Sequence, residues 1–143
     1  MKAPYTILLV EDNPADIKIM ERALRDHSVP VDLTVVRDGQ AALDYLLQAP
    51  AEQGRCPNLI LLDLNMPGLT GRQVLERIRA TPALRSVPVL VLSTSRREEE
   101  VADLYAAGAN TYIQKPQDFE RFVDVLHTIQ RYWLETALLP SPP

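Results

Sequence analysis

The sequence predicts an α/β fold, in which a five-stranded parallel sheet is covered by helices on both faces. Five short aliphatic segments alternate along the chain with five segments whose apolar residues recur at helical spacing. Residues 59–62 are continuously apolar, and prolines lie on both sides of the run, as is typical of a parallel strand buried on both faces. The short loops between segments favour one sheet between two layers of helices.

The first half of the chain holds three predicted strands and two helices. Residues 7–10 form a strand, and Asn13-Pro14 suits the cap and first turn of the helix that follows. The alternating residues 31–35 predict a half-covered edge strand. Residues 48–57 are polar and predict a surface loop before the third strand. The apolar faces of the two helices are Ile17, Met20 and Leu24, then Ala42, Leu43, Leu46 and Leu47.

The second half of the chain holds two more strands, at residues 87–92 and 111–114, and three helices. Each helix is preceded by a residue whose side chain can bind the free amide groups of the first turn. The predicted caps are Thr70, Ser95 as a capping box with Glu98, and Asp118. The last helix has a wide apolar face, made by Phe122, Val125, Leu126, Ile129 and Trp133.

At 143 residues the chain is predicted to form one domain, residues 1–136, followed by a short proline-rich tail at 137–143. A net charge of −4 argues against the basic surface that nucleic-acid-binding proteins typically carry, so we do not expect binding to DNA or RNA. The sequence has neither the apolar core of a signal peptide nor a membrane span, so we expect a cytoplasmic protein. Cys56 is predicted to be an incidental thiol in the surface loop, and His27 and His127, predicted at the surface, lack the spacing of metal ligands.

Polar side chains follow four of the predicted strands. They are Glu11 and Asp12 after the first, Asp63 after the third, Ser93 and Thr94 after the fourth, and Lys115 after the fifth. Because the C-terminal ends of parallel strands lie at one edge of the sheet, we expect these groups to converge. Three carboxylates close together require a cation, and Mg²⁺ prefers oxygen ligands.

The chemistry that this set predicts is phosphoryl transfer to a carboxylate. Asp63 can act as the nucleophile and form an acyl phosphate. Phosphoryl transfer needs positive charge at the phosphoryl oxygens, which Mg²⁺ and Lys115 can supply, and Ser93 can donate a hydrogen bond. Neither of the common glycine-rich nucleotide-binding patterns occurs in the sequence.

From Thr6 to about Trp133, the chain resembles the receiver domains of two-component response regulators. The resemblance rests on Glu11-Asp12, Asp63, Met66-Pro67-Gly68, Ser93, Tyr112 and Lys115-Pro116. With it, the predicted fold is a flavodoxin-like (βα)5 three-layer sandwich with strand order 2-1-3-4-5. The residues alone do not determine that order, since the Rossmann order is the other common one.

The resemblance also implies a role for each residue of the set. Asp63 would be the phosphoacceptor, Lys115 would bind the phosphoryl group, and the peptide bond between Lys115 and Pro116 would be cis. Ser93 would be the switch hydroxyl, with Thr94 as the alternative, and Tyr112 would be the switch aromatic residue. Magnesium or manganese would be bound by Glu11, Asp12, Asp63 and the backbone carbonyl of Asn65.

Within this family, three segments resemble the single-domain regulators paired with cyanobacterial phytochromes. They are residues 64–68, residues 92–95 and Tyr132-Trp133-Leu134. The expected partner is a histidine kinase, with a phytochrome as the candidate, together with a downstream protein that the sequence does not identify. The residues themselves do not indicate a response to light.

Two other functions remain open at this point. One is a Mg²⁺-dependent phosphatase with an aspartyl nucleophile, although such enzymes have a second Asp two residues after the first, where this chain has Asn65. The other is a binding module that is never phosphorylated, which would be expected to lack an acid or the lysine. We expect a phosphoacceptor that catalyses only its own phosphorylation and slow autodephosphorylation, and is not otherwise an enzyme.

The last helix also predicts association between copies of the chain. Its apolar residues, with Tyr132, Leu138 and Leu139 beyond it, exceed what one sheet face can cover, and large exposed apolar patches tend to mark interfaces. The alternative is that all of them fold back onto their own domain. The resemblance favours a homodimer through the fourth helix, fifth strand and fifth helix, strengthened by phosphorylation.

Overall fold

The computed structural model describes residues 5–26, 29–48 and 56–140. The strands are β1 Tyr5–Val10, β2 Val31–Val36, β3 Leu59–Asp63, β4 Val89–Ser93 and β5 Thr111–Gln114. The helices are α1 Pro14–Arg25, α2 Gly39–Gln48, α3 Gly71–Ala80, α4 Glu98–Ala106 and α5 Phe119–Ile129. A 3-10 turn, Pro82–Leu84, follows α3, and a π-helical segment, Gln130–Thr136, continues α5.

The five strands are parallel and form one sheet in the order β2-β1-β3-β4-β5, so the predicted flavodoxin-like order is confirmed. Every residue of β3 is buried, as the continuous apolar run predicted. Strand β2 lies at the edge and is only partly covered, which confirms the reading of its alternating pattern.

Successive side chains of the central strands point to opposite faces of the sheet, and each face has its own core. Leu8, Ile60 and Val91 pack with the buried residues of α2, α3 and α4. Leu9 and Leu61 pack with the buried residues of α1 and α5. The sheet is therefore the middle of three layers, and its C-terminal edge remains free of the helices that cover its faces.

Local capping places three of the helix starts as predicted. Asn13 Oδ1 accepts hydrogen bonds from the amides of Ala15 and Asp16, at 2.9 and 3.2 Å. Thr70 forms a complete capping box with Gln73, and Asp118 accepts from the amide of Arg121 at 3.0 Å. These caps were readable from the sequence because both partners lie within three residues of each other.

The capping box predicted for Ser95 and Glu98 is wrong. Helix α4 begins at Glu98, its cap residue is Arg97, and no side chain caps it. Ser95 is held instead by the end of β4, because its amide donates to Ser93 Oγ at 3.1 Å. Its carbonyl oxygen accepts from the hydroxyl of Tyr112 at 2.9 Å. A local contact with the end of β4 and a contact with Tyr112 on β5, which is distant in sequence, thus fix this loop.

The prediction that Cys56 lies in a surface loop is also wrong. Cys56 is 3 % exposed and packs in the core on the side of α2, α3 and α4, and burial raises the pKa of its thiol. The preceding residues 49–55 lie outside the described residues, as does His27. His127 is exposed on the last turn of α5, in agreement with the predicted surface position.

The end of the chain is partly folded onto the domain. Helix α5 buries Phe122, Leu126 and Ile129 against the sheet. Helical structure ends at Thr136; beyond it Leu138 is 98 % exposed, and Leu139 packs against the core beside α1 and α5. Residues 141–143 of the predicted tail lie outside the described part of the chain, and the division into domain and tail stays a prediction.

Candidate functional site

The predicted convergence of polar groups occurs at the C-terminal edge of the sheet. Glu11, Asp63, Ser93 and Lys115 are all buried there, with exposed fractions of 0, 1, 0 and 7 %. The parallel register brings the groups together, since Asp63 lies beside Leu92 and the last residue of β4 lies beside the last of β5. A buried polar group is costly unless it is paired, so this edge is organised around its polar contacts.

Three carboxylates form a compact group at this edge. Glu11, Asp12 and Asp63 each offer one oxygen, and these oxygens lie within 4.8 Å of one another. Asp63 Oδ1 accepts from the amide of Asn65 at 3.1 Å, and Asp12 is partly exposed, so the group opens to solvent on one side. An open cluster of carboxylate oxygens suits Mg²⁺ or Mn²⁺, which keep several water ligands. The residues therefore fit a divalent ion.

Lys115 is the cation of the site, and it contacts three carboxylates. Its Nζ lies 2.6 Å from Glu11 Oε1, 3.0 Å from Asp16 Oδ2 and 3.5 Å from Asp63 Oδ1. Burial lowers the pKa of Lys115, but the hydrogen bond to Glu11 and the charge of Asp63 raise it by more, so the net shift is upward. Lys115 is therefore held in its charged form next to Asp63.

The contact between Lys115 and Asp16 was not foreseen from the sequence. Asp16 lies in the first turn of α1, where an acid is favourable beside the helix N-terminus in any protein. Its short spacing from Glu11 along the chain places it near the same sheet edge, but its contact with Lys115, which follows β5, is decided by the tertiary fold.

The pKa of Glu11 is raised to about 7. The largest cause is burial, and a hydrogen bond with the Asp63 carboxyl also favours the protonated form, while Lys115 opposes the shift. A raised carboxyl pKa means that the metal-free folded chain binds a proton that the unfolded chain releases. Its stability is therefore expected to fall as pH rises from 4.5 to about 7.

Divalent metal binding is expected to weaken as pH falls below about 7, because a proton then competes with the ion for Glu11. Displacing one proton corresponds to about a tenfold loss of Mg²⁺ affinity per pH unit in that range. Melting curves with and without Mg²⁺ should show a larger stabilisation at pH 8 than at pH 6. Glu11→Gln should bind Mg²⁺ weakly with little pH dependence; an unchanged pH dependence in this variant would contradict the assignment.

A second set of contacts links Ser93 to Tyr112 through Glu100. Glu100 Oε1 lies 3.4 Å from Ser93 Oγ and 3.1 Å from the Tyr112 hydroxyl. Burial, and the hydrogen bond and charge of Glu100, raise the pKa of Tyr112. Thr94 is exposed, and its Oγ1 accepts from the Asn65 side chain at 3.3 Å. Of the two candidate hydroxyls, Ser93 is thus the one connected to Tyr112.

Glu100 was missed because it is the third of three successive glutamates at the start of α4. Such a run is typical of a solvated helix N-terminus. Only the packing of α4 against β4 and β5 distinguishes Glu100, whose side chain is 22 % exposed, from its neighbours.

The cis peptide bond predicted between Lys115 and Pro116 is wrong for this structure, since the described residues contain no cis peptide. The trans form is the lower-energy isomer of most bonds to proline. With the trans bond, Lys115 still reaches Glu11 and Asp63.

Comparison with known proteins places this geometry in a family. The family model for the response regulator receiver domain matches residues 7–127. The chain belongs to the response regulator receiver domains. Response regulator Rcp1 of Synechocystis sp. is 40 % identical over 139 residues, which cover 96 % of this chain and 95 % of Rcp1. Receiver domains take a phosphoryl group from histidine kinases and are not enzymes in the usual sense.

Two solved structures are close to this receiver domain. One is the phosphorylated cyanobacterial phytochrome response regulator RcpA, with a TM-score of 0.90 and 43 % identity, covering 97 % of this chain and all of RcpA. The other is the Mn²⁺-bound form of Rcp1, with a TM-score of 0.87 and 39 % identity, covering 96 % of this chain and 99 % of that one. Among the described helices of the receiver domain, none is long and apolar enough to cross a membrane.

Proposed function

We propose that a histidine kinase phosphorylates this receiver domain on Asp63, and that the phosphoryl group then changes its partner-binding surface. One observation carries the proposal: a buried Asp63 shares one sheet edge with two further carboxylates and with Lys115, 3.5 Å away. An Asp63 oxygen attacks phosphorus and forms a new O–P bond. The bond from phosphorus to the donor breaks, and the donor atom keeps its electron pair.

The charges of the site support this assignment. Mg²⁺ or Mn²⁺, held by Glu11, Asp12, Asp63 and the backbone carbonyl of Asn65, would offset the charge of the phosphoryl oxygens and orient them. Lys115 would donate to a phosphoryl oxygen from the opposite side. Slow autodephosphorylation, in which water takes the phosphoryl group and restores the Asp63 carboxylate, is part of the same proposal.

Ser93 and Tyr112 would transmit the effect of phosphorylation from the site to the surface of the domain. The Ser93 hydroxyl has one proton, so donating it to a phosphoryl oxygen ends its donation to Glu100. Glu100 and the Ser95 carbonyl also hold the Tyr112 hydroxyl, and a change at either partner alters the position of the loop and of α4. Phosphorylation would thus select between two arrangements of this face.

The kinase that we propose is a phytochrome or a phytochrome-associated histidine kinase, in the cytoplasm. Support comes from the similarity to RcpA, which is a cyanobacterial phytochrome response regulator. Incubating the chain with candidate histidine kinases, under red and far-red light for the phytochromes, tests the pairing through the rate of phosphoryl transfer. Transfer only from kinases without a chromophore would exclude the phytochrome part of the proposal.

Acetyl phosphate with Mg²⁺ distinguishes the proposed function from the phosphatase alternative. A receiver domain is expected to accumulate one phosphoryl group per chain, seen by intact-protein mass spectrometry. Rapid release of inorganic phosphate without an adduct would support the phosphatase. The absence of both adduct and turnover would mean a binding module that is not phosphorylated. Nothing in the described site favours the phosphatase, because the residue two positions after Asp63 is Asn65, which can serve as neither acid nor base.

We also propose that the receiver domain forms a homodimer through α4, β5 and α5. A groove of about 660 Å³ lies beside β5 and is lined by Ile113, Val125, Trp133 and other residues of β5, α5 and the π-helical segment. Tyr132 at its rim is 53 % exposed, and Tyr105 on α4 is 47 % exposed. A two-fold axis through this face would let each copy cover the apolar groove of the other with the same residues.

Light scattering at micromolar concentration is expected to give a dimer mass that becomes more stable after treatment with acetyl phosphate and Mg²⁺. Tyr132→Glu should shift the chain to monomer, because it brings a charge into an apolar interface. Phe119→Ser is the matched control, since Phe119 is 61 % exposed but lies in the separate groove between α1 and α5. A monomer mass in both phosphorylation states would contradict the proposal.

A further inference from the structure

Asp16 stands out because it contacts Lys115 from a helix that carries none of the predicted site residues. Its side chain is 25 % exposed, its Oδ2 lies 3.0 Å from Lys115 Nζ, and the partner Lys115 is 7 % exposed. The backbone of Asp16 is fixed as well, since its amide donates to Asn13 Oδ1. Two separate interactions therefore hold this carboxylate at the inner end of α1.

The hydrogen-bond capacity of Lys115 shows what Asp16 does to it. An ammonium group has three N–H donors. Glu11 at 2.6 Å and Asp16 at 3.0 Å take two of them. Asp63 lies 3.5 Å away, beyond the usual range for a charge-assisted hydrogen bond. The third donor is thus used by neither Glu11 nor Asp16, and the acceptor carboxylate lies close to it without engaging it.

We propose that Asp16 is a positioning residue, which with Glu11 fixes the Lys115 ammonium so that its remaining N–H meets the incoming phosphoryl oxygen. Without Asp16, the flexible four-carbon side chain of Lys115 would be anchored by Glu11 alone, and Glu11 would also be a ligand of the metal ion. The inference rests on the proposed role of Lys115, and Asp16 itself does not touch the phosphoryl group.

A double-mutant cycle between Asp16 and Lys115 tests the inference in the full chain. The measured quantity is the rate of adduct formation from acetyl phosphate at fixed Mg²⁺, followed by intact-protein mass spectrometry. Asp16→Ala is expected to slow the rate about tenfold, a typical loss when a residue that orients a functional group is removed. The rate of Asp16→Asn should lie between those of Asp16→Ala and the unsubstituted chain. Its amide oxygen still accepts a hydrogen bond from Lys115 Nζ, but the side chain has no charge.

The cycle separates positioning from a structural role in α1. If Asp16 acts through Lys115, then Asp16→Ala should have no further effect in a chain that already carries Lys115→Ala. Glu21→Gln, which removes an acid from the outer part of α1, is the matched control and should leave the rate unchanged. Melting curves show whether each variant is folded under the conditions of the rate measurement. If Asp16→Ala does not fold, Asp16→Asn is used in its place.

Three outcomes would overturn the inference. They are a rate of Asp16→Ala equal to that of the unsubstituted chain, a faster rate, and the same slowing with and without Lys115. A faster rate would mean that Asp16 acts mainly by repelling the phosphoryl group. Failure of the proposed function gives a different result, since the unsubstituted chain would then form no adduct at all. If only the role of Lys115 is wrong, Lys115→Ala would be phosphorylated as fast as the unsubstituted chain.

Discussion

Asp63→Asn is expected to abolish the phosphoryl adduct from both acetyl phosphate and a histidine kinase. The amide has nearly the shape of the carboxylate, and its oxygen can still accept from the amide of Asn65. It is not a nucleophile, however, because it lacks the negative charge that attacks phosphorus. The variant should fold, since it removes one of three like charges from the group formed with Glu11 and Asp12.

Intact-protein mass spectrometry after incubation with acetyl phosphate and Mg²⁺ measures this effect directly. Asp32→Asn is the matched control, because this substitution makes the same chemical change at an exposed position on β2. It should form the adduct at the normal rate. Normal adduct formation in Asp63→Asn would show that another residue is the acceptor, and peptide mapping of that adduct would identify it.

Lys115→Ala is expected to slow phosphorylation and to uncouple it from dimerisation. At about 4 Å and an effective dielectric constant of about 20, the attraction between Lys115 and one phosphoryl charge is about 4 kcal/mol. The substitution also removes the positive charge that would lie opposite the metal ion. The variant also leaves Glu11, Asp16 and Asp63 without their shared cation, so its stability should depend more strongly on Mg²⁺.

Light scattering of the fully phosphorylated variant measures the coupling between phosphorylation and dimerisation separately from the rate of phosphorylation. Phosphorylated Lys115→Ala should dimerise no more strongly than the unphosphorylated chain, whereas Lys115→Arg, which keeps the charge, should retain part of the effect. Lys18→Ala is the control, since Lys18 is exposed on α1 and lies outside the site. The role assigned to Lys115 is wrong if the phosphorylated alanine variant dimerises as the unsubstituted chain does.

Much of the candidate site was predictable because the topology of a parallel sheet constrains where strand ends lie. The apolar runs located the strands, and the residues that follow them, such as Glu11, Asp63 and Lys115, had to meet at one edge. The strand order was not available from the apolar pattern, which is similar in β1, β3 and β4, and it came from the resemblance to receiver domains.

The choice between Ser93 and Thr94 shows the limit of spacing arguments. Ser93 is the last residue of β4 and Thr94 follows it, and neighbouring side chains of a strand point in opposite directions. Ser93 is buried and reaches Glu100, whereas Thr94 is exposed and reaches Asn65. Sequence favoured Ser93, and the geometry adds the physical reason, which is that only this hydroxyl connects the sheet edge to Tyr112.

By itself, the sequence determined the five strands, the helix caps at Asn13, Thr70 and Asp118, and the residues that gather at the sheet edge. All of these depend on apolar periodicity or on partners within three residues, which the chain order records. Only the tertiary structure decided the burial of Cys56, the start of α4, and the contacts of Asp16 and Glu100. Each depends on contacts with residues far away in sequence, and for Asp16 and Glu100 those contacts determine which of several similar acidic side chains turns inward.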